Sequence, residues 1–136
     1  MKKPSAAKPP ERPVFFVDRS LGKYDVPNAL RAAGYHCEIH DDHFAPATED
    51  EVWLRELAGR RWAVLTKDER IRYRPFELDA LRGAGLRVFI VICGNVTGKA
   101  TAEIILKAMP KMVRLLQREH RSFLCYVYKD GTVRKK

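Results

Sequence analysis

Short apolar runs alternate with segments of helical period along the chain. Val14-Phe15-Phe16-Val17 is the first run and closes in Asp18. Val26, Leu30 and Ala33 then share one side of a predicted helix, with Asp25 as cap, Pro27 in the first turn and Gly34 as the stop. A strand is predicted over 35–40 (YHCEIH). Thr48-Glu49-Asp50-Glu51 has the T-x-x-E form of a capping box and opens a helix to about Arg60. The run WAVLTK predicts a strand over 62–67. A short helix from Pro75, carrying Phe76, Ala80 and Leu81, ends at Gly83 and Gly85. Arg87 to Cys93 reads as another buried strand. After Asn95, the residues Ala102, Ile105, Leu106, Met109, Met112, Val113 and Leu116 predict a long helix, kinked at Pro110, with its apolar and methionine stripe in the core. Phe123 to Tyr128 is the last full strand, and the turn Lys129-Asp130-Gly131 lets the basic end fold back as a hairpin.

Strands alternating with helices are the mark of a parallel sheet covered on both faces. The expected fold is therefore α/β, three layers deep, with a central, mainly parallel sheet of 4–5 strands. Residues 1–13 hold Pro4, Pro9, Pro10 and Pro13 without a hydrophobic period, and read as a disordered basic tail before one domain over 14–136. No apolar run approaches the roughly 20 residues of a membrane span. The opening residues lack the apolar segment of an export signal, so a cytoplasmic location is expected. Cys37, Cys93 and Cys125 form no CxxC pair and all fall in predicted strands, which favours buried, reduced thiols over a disulfide or zinc.

In a parallel sheet, ligands bind beyond the carboxyl ends of the strands, where the strand order reverses. Here those ends carry Asp18, then His40-Asp41-Asp42-His43, then Asp68, then Gly94-Asn95. One acid after a strand is weak information, because Asp is a common turn former. Two acids directly after VFFV and AVLTK say more: if strands one and three are neighbours, Asp18 and Asp68 converge. Paired carboxylates without a cation repel, whereas a hard divalent ion such as Mg2+ removes that cost and prefers oxygen ligands. Asp50 is a third candidate, since it lies on the row of Leu54 and Leu57, which should face the sheet. Glu51 competes for that place, and pairing with Arg55 would turn it to solvent. Stabilisation of the helix dipole is the competing role for Asp50.

Charge adds a surface to these acids. The chain carries +9, with 26 Lys and Arg against 17 Asp and Glu, so a polyanionic partner is expected. Arg70, Arg72 and Arg74 follow Asp68 at alternate positions, and guanidinium groups suit phosphate through two parallel hydrogen bonds. They are expected to face a phosphate backbone, not to pair with Asp68. Asn95 is a further candidate for phosphate or for a metal-bound water. The HDDH cluster at 40–43 lacks a second half with metal-ligand spacing and reads as a solvated loop. Gly94 to Lys99 lacks the spacing of a phosphate loop.

The ordered set FFVDRSLG, DEVWL and TKDERI, continuing through RVFIVICGNVTG and YKDGTV, resembles the PIN-like nucleases, and within them the VapC-type subgroup. That resemblance implies a PIN-like fold and an Mg2+- or Mn2+-dependent ribonuclease, the toxin of a bacterial toxin–antitoxin pair. RNA is then the substrate, a cognate antitoxin the protein partner, and a homodimer the assembly. By position it implies Asp18, Asp50 and Asp68 as metal ligands and catalytic acids. Many such sequences place another acid shortly after the third; two residues beyond Asp68 this chain has Arg70. Two other readings stand beside this one. A receiver-like phospho-acceptor domain also puts acids after strands one and three, although here Asp18 is followed by Arg19. A non-catalytic module binding RNA or a partner would keep its affinity without metal.

Overall fold

The computed structural model describes residues 12–73 and 85–135. Most of the basic tail and the helix expected from Pro75 lie outside the described residues. The elements are β1 (Val14–Val17), α1 (Asp25–Ala32), β2 (His36–Ile39), α2 (Asp50–Arg60), β3 (Ala63–Thr66), β4 (Arg87–Ile92), α3 (Gly98–Arg118), β5 (Phe123–Tyr128) and β6 (Val133–Lys135). Short 3-10 turns occupy Arg19–Leu21, His40–Asp42 and Glu69–Tyr73.

All six strands join one sheet in the order β2-β1-β3-β4-β5-β6. The first five are parallel and β6 is antiparallel to β5. Strands one and three are neighbours, as expected. The sixth strand exceeds the expected count because the basic end does close a hairpin. Gly131 takes φ 86, where glycine is favoured, and the Thr132 amide bonds the Asp130 carboxylate at 2.9 Å.

Side-chain alternation divides two cores between the faces. Phe15, Leu65, Phe89 and Cys125 point to one face, where Leu30 of α1 and Ile105, Met109 and Met112 of α3 cover them. Phe16, Val64, Val88 and Ile90 point to the other, against Trp53, Leu54 and Leu57 of α2. The central strands are buried on both sides, which explains their near-continuous apolar sequences. Cys37, Cys93 and Cys125 are free and buried, as expected, and burial pushes the Cys37 and Cys125 thiols up to about 11. Among the described residues no helix is long and apolar enough to cross a membrane.

Two predicted caps are not formed. Helix α1 begins at Asp25 with Tyr24 as its N-cap, and the Asp25 carboxylate lies against Gly98 at the start of α3. A carboxylate there complements the positive end of the longer helix. Helix α2 has Glu49 as N-cap without a side-chain hydrogen bond, so the T-x-x-E motif makes no capping box. The Asp50 carboxylate is instead engaged by the Trp53 indole N–H at 3.1 Å. Thr97 does cap α3, accepting from the Ala100 amide at 3.0 Å. That helix runs unbroken in assignment through Pro110 and ends at Arg118, short of His120.

The carboxyl end of α3 rests on two buried arginines. Arg87 donates to the Leu116 carbonyl at 3.3 Å and to the Arg61 carbonyl at 2.7 Å. Arg61 reaches the His120 carbonyl. The Leu116 carbonyl lies in the last turn of α3, at the negative end of its dipole, and the other two follow the ends of α2 and α3. The arrangement leaves strain in the charges: burial, then Arg61, brings Arg87 down to about 10. Gly85 makes room for it. A Cβ at Gly85 would stand 2.2 Å from Arg61 Nη1, and the residue has φ +87.

Replacing Gly34, whose φ is +90 with open space around it, tests the backbone term alone. Gly34→Ala should cost about 1–2 kcal/mol from the left-handed backbone. Gly85→Ala should cost that and also displace the Arg61 guanidinium from His120, adding about 1.5–3 kcal/mol. Urea midpoints of the two variants at unchanged slope check the difference.

Candidate active site

The strand order reverses at β1, which has β2 on one side and β3 on the other. Continuing the register Val17↔Leu65 by one step sets Asp18 opposite Thr66. The Asp18 amide still bonds the Leu65 carbonyl at 2.9 Å, so the aspartate is held by sheet geometry as it leaves the strand. Its Oδ2 accepts from the Thr66 hydroxyl at 2.8 Å and from the Ser20 hydroxyl at 2.7 Å. Asp18 is only 9% exposed. Two donors on one oxygen fix the carboxylate's rotation.

Thr66 and Ser20 also hold the β3 end. The Asp68 amide donates to Thr66 Oγ1 at 3.0 Å, and the Lys67 amide donates to Ser20 Oγ at 2.9 Å. One wholly buried hydroxyl thus bonds both the Asp18 carboxylate and the Asp68 backbone. Neither Ser20 nor Thr66 was among the expected site residues. The available signal was Thr66 itself, the one hydroxyl in the otherwise apolar strand AVLT.

The expectation that the arginines avoid Asp68 is overturned for Arg70. Its Nε donates to Asp68 Oδ1 at 2.9 Å and its Nη2 to Oδ2 at 3.0 Å, a two-pronged pair. The 3-10 turn at Glu69–Tyr73 folds the guanidinium back, and the Arg70 amide bonds Asp68 Oδ1 as well, at 3.0 Å. Asp68 hydrogen bonding and charge hold the Arg70 proton more tightly than usual, with Asp50 adding to the field. Asp50 is therefore near this pair and Leu54 and Leu57 on its row are buried, as expected. Glu51 is half-buried beside it. Asn95 is exposed in the loop after β4. Arg72 is placed by its backbone in the 3-10 turn, and Arg74 lies outside the described residues.

The HDDH segment is a turn with Asp42 exposed, as expected, but its first residue is packed. His40 is 3% exposed, among Phe16, Phe44 and Trp53. Asp41 pairs with Arg19 at 3.2 Å and Lys23 at 3.4 Å. Glu38 receives His43 at 2.7 Å and His36 at 2.9 Å.

Among the described residues, no three His, Cys, Asp or Glu side chains form a group spaced to hold a metal ion. Asp18, Asp50, Asp68 and the two hydroxyls offer oxygen, the donor that a hard divalent cation prefers, but as placed they do not form such a group. The obstacle is Arg70, whose guanidinium covers both oxygens of Asp68.

A doubly covered parallel sheet with acids at its reversal point agrees with the sequence comparisons. The chain matches the model of the PIN like domain family over residues 13–92, more than half its length, and belongs to that family. It is also similar to a Mycobacterium tuberculosis protein named "Putative ribonuclease VapC45". The two are 29% identical over 103 residues, covering 73% of this chain and 75% of that protein. No solved structure matches.

Two outcomes test this local geometry. Thr66→Val removes the shared hydroxyl and should cost about 2–3 kcal/mol, through the donor lost to Asp18 and the acceptor lost to the Asp68 amide. Thr66→Ser should return all but the buried methyl, about 1 kcal/mol; chemical denaturation checks both. The hydrogen bond from His43 outweighs the opposing effect of burial and, with the weaker contribution of His36, holds the Glu38 carboxyl below its ordinary 4.5. Its contribution to stability is present above that value and is lost as pH falls through the lowered native one. Glu38→Gln should therefore flatten the fall of Tm below about pH 4.5.

Proposed function

We propose that the protein is a ribonuclease that hydrolyses RNA phosphodiester bonds with the help of Mg2+ or Mn2+, and that it is the toxin of a toxin–antitoxin pair. The observation that carries this reading is the placement of Asp18 and Asp68 on one hydrogen-bonded hydroxyl at the reversal point of a PIN-like sheet. The ribonuclease name of the mycobacterial relative supports the reaction and the toxin role. The net charge of +9 suits an RNA substrate.

Asp18, Asp50 and Asp68 would hold the divalent ion. When bound, it supplies charge to the phosphodiester and acidifies water. The chain's own groups do the rest. Ser20 and Thr66 lock Asp18 in one orientation, so no rotamer freedom is lost when it is used. Trp53 does the same for Asp50. Arg70, with Arg72, Arg74 and Asn95, binds the RNA backbone, and a guanidinium in a substrate-covered site stabilises negative charge on the phosphate. A homodimer and a cytoplasmic location complete the proposal.

Cleavage of single-stranded RNA in Mg2+ or Mn2+ is the test. Asp68→Asn and Asp18→Asn should each lower kcat at least about a hundredfold, the scale of a lost electrostatic group, and excess EDTA should abolish turnover. Cleavage that survives either treatment defeats the assignment. Asp50→Asn and Glu51→Gln, compared in the same assay, separate the two neighbouring acids: only the first should be impaired.

A further inference from the structure

The geometry points to Arg70 as a residue that divides its time between two anions: it covers Asp68 until a divalent ion takes that carboxylate, and is thereby released to hold the RNA phosphate. The inference rests on the metal-dependent reading above and concerns the same site.

Three observations carry it. First, the pair is complete: both Asp68 oxygens are engaged by the two edges of one guanidinium, at 2.9 Å and 3.0 Å. A cation must compete with that fork, and with its positive charge, for Asp68. Second, the two partners differ in freedom. The Asp68 side chain is 19% exposed and its amide is tied to Thr66, whereas the Arg70 side chain is 79% exposed. The arginine is the partner that can leave. Third, an exposed ion pair is held weakly, because solvent screens it. Its release is therefore within reach of ion binding, and a freed guanidinium retains its fork for phosphate.

Nothing in this scheme changes the fold; one side chain exchanges an intramolecular carboxylate for a substrate oxygen. Binding is coupled in both directions, since whatever draws Arg70 to phosphate also uncovers Asp68. RNA and the divalent ion should then favour one another's binding through this residue. That makes Arg70 a positioning residue for the ion and a binding residue for RNA.

The experiment uses the full chain and reads binding, not turnover. Mg2+ and Mn2+ are titrated calorimetrically into wild type, Arg70→Gln and Arg70→Lys, and the Arg70 Nε–H resonance, identified by its loss in Arg70→Gln, is followed by NMR during the Mg2+ titration. Arg70→Gln should bind the ion about two- to fivefold more tightly, the scale of a screened ion pair. Arg70→Lys, which keeps the charge and loses the fork, should lie between. The wild-type resonance should move with the calorimetric midpoint. If the ion binds but the resonance stays still, or if Arg70→Lys matches wild type, the exchange is wrong while the ribonuclease reading stands. If no chain binds either ion, the metal-dependent reading itself falls, and the exchange falls with it.

Discussion

Parallel pairing of β1 with β3 is the constraint on which the site depends. Neighbouring strands lie about 4.8 Å apart, and their register is set by which residues face each core. With Phe15 and Leu65 turned to one face and Phe16 and Val64 to the other, the register is Val17↔Leu65. Asp18 must then emerge opposite Thr66. A slip of one residue would turn the aromatic core outward before it moved the acid, so hydrophobic packing guards the position of a polar group.

The two edges of the sheet solve opposite electrostatic problems. At the carboxyl edge, acids gather and are satisfied by hydroxyls, an indole and one mobile guanidinium. At the amino edge, Arg61 and Arg87 are buried near the end of α3, where among the described residues their partners are backbone carbonyls. The first arrangement can exchange partners and the second cannot, because its cations are enclosed. The fold therefore keeps its adjustable charge where substrate can reach it.

Much of this was legible in the residues. The adjacency of β1 and β3, the burial of both sheet faces and the exit of Asp18 and Asp68 at the carboxyl edge follow from apolar runs ending in acids. Two kinds of feature were hidden. One depends on backbone detail: Arg70 reaches Asp68 only because residues Glu69–Tyr73 form a 3-10 turn, which a run of charges does not announce. The T-x-x-E motif failed for a related reason: α2 takes Glu49 as its N-cap, which leaves Thr48 one residue outside the position that a capping box needs. The other kind depends on distant contacts. Arg61 and Arg87 look like surface residues until the end of α3 arrives to receive them, and Thr66 looks like a strand residue until β1 lies beside it.

The buried thiols have a practical consequence. Cysteine reacts as its thiolate, and a rise from 9.0 to about 11 for Cys37 and Cys125 cuts the thiolate fraction at neutral pH roughly a hundredfold. Enclosure in the core withholds the same sulfurs from any reagent in solution. Both barriers vanish together when the sheet opens. The chain thus contains its own clock for opening: the rate at which Cys37 and Cys125 accept a thiol-specific label records how often the sheet opens around β2 and β5.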